Sequence, residues 1–288
     1  MAKIVGTKGP DLIDATNTVD GQPYPTNLAD RIFGRSGDDA ISGLGGDDRI
    51  VGASGGDAIA GDDGNDVLLG GNGNDALAGG SGNDAARGGA DRDAIAGNDG
   101  DDNLAGGASK DALLGGLGND RLTGGRGKDA IGSGDGDDNA RGGTGKDTIF
   151  GDNGNDFLRG NDGNDLIFGG SGDDVISGDA GRNTLSGGPG ADSFLFGSED
   201  GRDMILDFNP LEDGFILSRS VYKGIGPTGP LKAQYFNVGE AVTPIQRILY
   251  DDGWLLYARH GSNTNDPVKF AFIGEGLPIT ADLFVVSA

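Results

Sequence analysis

The feature that most constrains the fold is a nine-residue period that never slips. From Gly34 to Leu195 the chain divides into eighteen nonapeptides, 162 residues, without one insertion or deletion. In a unit such as Gly70-Gly71-Asn72-Gly73-Asn74-Asp75-Ala76-Leu77-Ala78, the first position is Gly in 17 of 18 copies, Ser133 being the exception. The fourth is Gly except at Asp91 and Ser109, and the sixth is Asp except at Asn183. The eighth is Ile, Leu or Phe except at Ala86 and Ala140. So regular a chain calls for a repeat architecture in which each unit buries its apolar residue only against its neighbours.

The position-specific chemistry predicts the unit. Glycines at one and four, often also at two, permit positive φ and close backbone approach, so six residues can form a tight turn. The last three residues, apolar only in the middle, predict a very short strand with one side chain pointing inward. Two turns and two strands close a coil of eighteen residues, and eighteen units make nine coils. At about 4.8 Å per coil the stack is roughly 40 Å long. Its core is thin, and hydrophobic residues make up only 35% of the chain. One ladder of eighth-position side chains per sheet does not offset the entropy of so many ordered glycines, so a ligand has to supply the rest.

Charge and residue type point to calcium. The formal net charge of −24 argues against nucleic acid and anionic membrane surfaces and towards cations. There is no cysteine, and the single histidine, His260, lies outside the repeats, so a hard, oxygen-seeking ion is expected. The candidate ligands are the sixth-position aspartates: Asp39, Asp48, Asp57, Asp66, Asp75, Asp84, Asp93, Asp102, Asp111, Asp120, Asp129, Asp138, Asp147, Asp156, Asp165, Asp174 and Asp192. Those eighteen residues apart lie on neighbouring coils, where two carboxylates and several turn carbonyls can share one ion. An EF-hand is excluded, because its loop ends in a bidentate Glu and no Glu precedes Glu199.

The unit resembles the Gly-Gly-x-Gly-x-Asp-x-apolar-x repeat of the RTX family, a calcium-binding β-helix repeat. The resemblance implies an all-β fold: a calcium-stabilised parallel β-roll. It also implies export by type I secretion machinery, an extracellular location, and folding only on meeting calcium outside the cell. It covers residues 34–195. In the flank 1–33, Gly6-Thr7-Lys8-Gly9-Pro10-Asp11-Leu12-Ile13-Asp14 reads as a detached first repeat and Asp30-Arg31-Ile32 as a degenerate one, with an N-terminal cap around Pro23 and Pro25. The N-terminus has no apolar run suited to a signal peptide, and no 18-residue apolar segment occurs anywhere.

The two sides of such a roll can be compared. On the side of Asp48, Asp66, Asp84, Asp102, Asp120, Asp138, Asp156, Asp174 and Asp192, every fourth residue is Gly, and the fifth is Asp, Asn or, once, Ala191. The other side carries Asp91 and Ser109 at four, Asn183 at six, and Arg92, Lys110, Lys128, Lys146 and Arg182 at five. The first side is expected to hold calcium more tightly.

Residues 196–288 are expected to form a β-rich C-terminal cap. Tyr222, Tyr235, Tyr250, Tyr257 and Trp254 all lie here. Asp252-Gly253, between Arg247–Asp251 and Trp254–Tyr257, is a hairpin signal. The tail, Ile279–Ala288, is similar to uncleaved export signals and reads equally well as a final strand. No catalytic motif survives inspection. Gly52-Ala53-Ser54-Gly55-Gly56 matches a nucleophile elbow but sits inside a repeat, and Gly145-Lys146-Asp147 lacks the hydroxyl of a phosphate loop. The chain is therefore expected not to be an enzyme but a secreted calcium-binding effector in contact with a host membrane, its architecture similar to the short rhizobial nodulation-secreted members. The alternative is a structural module of extracellular matrix or cell surface. An ice-binding roll is disfavoured, because Thr123, Thr144, Thr148 and Thr184 form no array.

Overall fold

The structure is a computed structural model that describes residues 2–14, 17, 19, 21–197, 202–218, 220, 222, 228–231, 236–238, 248–258 and 267–287. Tyr235, Arg247 and His260 lie outside the described residues. The fold is an all-β parallel solenoid, and its chain separates into two compact units, Met1–Phe150 and Gly151–Ala288. No described helix is long and apolar enough to cross a membrane.

In the Met1–Phe150 unit, each strand from Arg31 on pairs in parallel with the strand eighteen residues on. Val67–Asn72 pairs with Ala85–Ala90 in one sheet, and Ala76–Ser81 with Ala94–Asp99 in the other. Two nonapeptides thus make one coil, as the spacing requires. From Arg49 on, the strands of this unit are six or seven residues long, not three. They run from position seven through position three of the next unit, and the turn shrinks to positions four to six. The cause is stacking: once coils lie in register, turn residues also find backbone partners one coil away, as Gly71 does opposite Gly89. The eighth-position side chains fill the interior between the sheets, from Ile41 and Ile50 to Ala140 and Ile149, none above 4% exposed.

The N-terminal flank joins the stack by a longer step. Lys3–Val5 pairs with Arg31–Phe33, and Leu12–Ile13 with Ala40–Ile41. Ile13 and Ile32 are fully buried in the core line, so each of the two repeats contributes a strand to the solenoid.

In the Gly151–Ala288 unit, coiling continues and then changes character. Val175–Ser177 pairs with Ser193–Phe196, which pairs with Gly214–Ser218, which pairs with Phe284–Ser287, all in parallel. Asp252 and Gly253 have φ of 48° and 78°, the two left-handed residues of a primed turn, and join antiparallel Ile248–Asp251 to Trp254–Ala258. Aromatic side chains replace the thin aliphatic ladder: Phe215 stacks 4.4 Å from Phe208 and 4.9 Å from Phe284, and Tyr222 lies 5.2 Å from Phe270.

Candidate metal centre

All seventeen candidate aspartates are buried, with 0–3% of their surface exposed. In the Met1–Phe150 unit they form two lines, one along each row of turns. On one line the amide of Asp48 donates to Oδ1 of Asp66 (2.7 Å), Asp66 to Asp84 (2.7 Å), Asp84 to Asp102 (2.7 Å), Asp102 to Asp120 (2.8 Å) and Asp120 to Asp138 (2.6 Å). On the other, Asp39, Asp57, Asp75, Asp93, Asp111, Asp129 and Asp147 are linked likewise at 2.8–2.9 Å. In the Gly151–Ala288 unit, Asp156 donates to Asp174 and Asp174 to Asp192.

Each carboxylate therefore uses one oxygen to fix the stack. The second oxygen is left over: Oδ2 of Asp39, Asp48, Asp57, Asp66, Asp75, Asp84, Asp93, Asp102, Asp111, Asp120, Asp129, Asp174 and Asp192 is buried without a hydrogen-bond partner. A buried carboxylate oxygen with no partner is costly, and repeating that cost coil after coil demands a counter-charge. Burial is the largest cause pushing these carboxyls up from 3.8, to about 6 at Asp48 and Asp120 and about 7 at Asp84, Asp93 and Asp174.

First-position glycines make room for these oxygens. A Cβ on Gly61 would collide with Oδ2 of Asp66 and the carbonyl oxygen of Gly79, and one on Gly79 with Oδ2 of Asp84 and the carbonyl of Gly97. These glycines are required for space, whereas positive φ falls at positions two and four, as at Gly71 (125°) and Gly73 (117°). The donors are all hard oxygens, a carboxylate from the turn and a carbonyl from the next coil, which fits calcium. Among the described residues no three acidic or histidine side chains converge on a point, so an ion held here would need backbone carbonyls as well.

Four aspartates outside the run of nonapeptides join the lines. The amide of Asp11 donates to Oδ1 of Asp39 (2.8 Å), that of Asp30 to Oδ1 of Asp48 (2.6 Å), that of Asp192 to Oδ1 of Asp213 (3.1 Å), and that of Asn183 to Oδ1 of Asp203 (3.0 Å). Asp203 and Asp213 are 3% and 5% exposed, and Asp203 is pushed up to about 7, mostly by burial. Their signal was the triplet Asp-x-apolar, in Asp203-Met204-Ile205 and Asp213-Gly214-Phe215, hidden because the steps are 20 and 21 residues rather than 18. A second omission is position five. There Asx side chains form their own rungs, Asn83 to Asn65 (2.7 Å) and Asp173 to Asn155 (2.8 Å) among them.

The family model of the RTX calcium-binding nonapeptide repeat matches the chain in overlapping stretches from residues 24–59 through 168–202. No curated protein matches the sequence. Among solved structures the chain is similar to a hyperactive, Ca2+-dependent, β-helical antifreeze protein from an Antarctic bacterium. The identity is 18%, over 72% of this chain and 86% of that one, with a TM-score of 0.41. It is also similar to a subunit of the Azotobacter vinelandii mannuronan C5-epimerase, at 30% identity over 52% and 78% and a TM-score of 0.24. The extracellular lipase of Serratia marcescens matches at 20% identity over 74% and 40%, again with a TM-score of 0.24.

Proposed function

Given that the chain belongs to the family of RTX calcium-binding nonapeptide-repeat proteins, we propose that it is a secreted protein that folds when its aspartate lines meet extracellular calcium. The observation that carries this reading is the run of buried Oδ2 atoms without partners. The aspartates at seventeen of the eighteen sixth positions, Asp39 through Asp192 without Asn183, are the carboxylate ligands, with residues 34–195 as the calcium-binding roll between an N-terminal and a C-terminal cap. Bound calcium supplies the positive charge that the stacked carboxylates need. The chain's own part is to present a buried carboxylate in each turn, with one oxygen unpartnered at positions such as Asp66, Asp84 and Asp102, and to clear the space beside it with glycine. Sites of extracellular type bind at roughly 10⁻⁴ to 10⁻³ M, so the same chain stays unfolded in a calcium-poor cytoplasm and can be threaded outward by type I machinery. Outside, it acts as a non-enzymatic effector at a host surface.

Far-ultraviolet circular dichroism in chelator and in millimolar calcium tests the coupling. The expected result is a disordered spectrum that turns to β structure on adding calcium, with a midpoint near 10⁻⁴ to 10⁻³ M. A roll fully formed in chelator would refute it. Export is checked by expressing the chain with and without a type I exporter and assaying the medium; equal amounts outside in both strains would remove secretion by that route.

A further inference from the structure

The two rows of turns in the Met1–Phe150 unit are built differently around their aspartate lines. Beside the Asp48–Asp138 line, position five holds Asp47, Asn65, Asn83, Asp101, Asn119 and Asp137. Each of the first five side chains accepts the amide of the next residue in that series, at 2.9, 2.7, 2.9, 2.8 and 2.8 Å. Five consecutive rungs thus brace the turns of that edge independently of any ion.

The opposite edge carries only two separate rungs before its cations. Asp38 accepts the amide of Gly56 (2.8 Å), Gly56 has no side chain to continue the series, and Asn74 accepts the amide of Arg92 (3.0 Å). From there position five is Arg92, Lys110, Lys128 and Lys146, all exposed. Arginine and lysine side chains only donate, so they give the next coil's amide nothing to bond. Arg92 and Lys110 line one groove of about 460 Å³ together with Asp75, Asp93 and Asp111, so their charges stand beside the carboxylates of this line. Asp91 and Ser109 further hold φ of 72° and 79° at position four, a left-handed conformation that costs a non-glycine residue about 1 kcal/mol or more, where the first edge has glycine throughout.

We infer that the edges are calcium sites of two strengths: a tight set along Asp48–Asp138, and a weak set along Asp75–Asp147 whose affinity is held down by Arg92, Lys110, Lys128 and Lys146. The inference rests on the reading of the aspartate lines as calcium ligands. A divalent cation entering the weak edge meets a like charge on four successive coils, and the turn that must receive it is not braced beforehand. Exposed charges couple weakly, up to about fivefold in affinity per coil. The effect repeats along a cooperative stack, so loading proceeds in two stages and the cationic row sets the calcium level at which the second begins.

Isothermal titration calorimetry on the full chain, with circular dichroism in parallel, tests this. The wild type should show two classes of calcium site. Replacing the row by Arg92→Asn, Lys110→Asn, Lys128→Asn and Lys146→Asn should restore both charge balance and rungs, merging the classes by tightening the weak one about fivefold or more. Alanine at the same four positions removes charge without restoring rungs and should tighten it less. The converse change, Asn65→Lys with Asn83→Lys and Asn119→Lys, should loosen the tight class, and higher salt should narrow the gap. A single class in the wild type, or a weak class unmoved by the asparagine variant, overturns the inference while leaving calcium binding intact. A chain that takes up no calcium at all overturns the reading on which it rests.

Discussion

A carboxylate such as Asp84 faces two contrary demands. Its Oδ1 accepts a hydrogen bond from the amide of Asp66 at 2.7 Å, while burial raises its carboxyl to about 7. Asp93, on the other line, is raised to about 7 for the same first cause. The sign of the pH effect follows. With a folded value above the unfolded 3.8, the metal-free fold holds more protons than the unfolded chain between about pH 4 and pH 7, so its stability falls as pH rises through that window. Calcium-coupled folding starts from an unfolded chain whose aspartates ionise near 3.8, so the calcium midpoint, followed by circular dichroism, should stay level between about pH 7.5 and 5.5 and rise as pH falls through about 4. A midpoint that does not rise in that lower range would contradict the assignment of these carboxylates as ligands. The sequence showed which residue type recurs at position six. It could not show that one oxygen is spent on the coil behind, since that bond joins residues eighteen apart.

The elements depend on glycine in two separate ways. Positions two and four need positive φ, and nonglycine residues do take it, as at Arg35 (87°) and Ala53 (89°). Position one, Ser133 apart, is kept free of a Cβ. Gly61→Ala would push against Oδ2 of Asp66 and the carbonyl of Gly79, and should cost about 1–3 kcal/mol together with a weakened calcium response. Gly9→Ala is the control, since nothing lies within 4 Å of its Cβ. Chemical denaturation in calcium distinguishes the two; equal loss in both would show that the cradle around Gly61 has no special role. The three-residue strands expected from the pattern became six for the reason that makes this cradle: coils stacked in register bond through their turns as well as their apolar segments.

Across the whole molecule, each unit pays for order differently. Met1–Phe150 has a core of one aliphatic side chain per half-coil and so leans on its ion sites. Gly151–Ala288 adds aromatic rings, with Phe215 at 1% exposure between Phe208 and Phe284. Phe215→Ala should destabilise that unit by about 3–5 kcal/mol, seen as a lower midpoint in the fluorescence of Trp254, the only tryptophan. A midpoint within a degree of wild type would show that the ring cluster is not its core.

By itself the sequence determined the eighteen-residue coil, the aliphatic interior and the two lines of aspartate. A period of nine with one apolar residue and one carboxylate per unit leaves no other way to bury the first and align the second. Only the tertiary structure decided that Asp203 and Asp213 extend those lines, that first-position glycines serve space rather than φ, and that position-five side chains brace one edge and abandon the other. Each of these depends on contacts between coils, made by residues 18 to 21 apart, and a local pattern carries no information about which atoms of two stacked turns come to face each other.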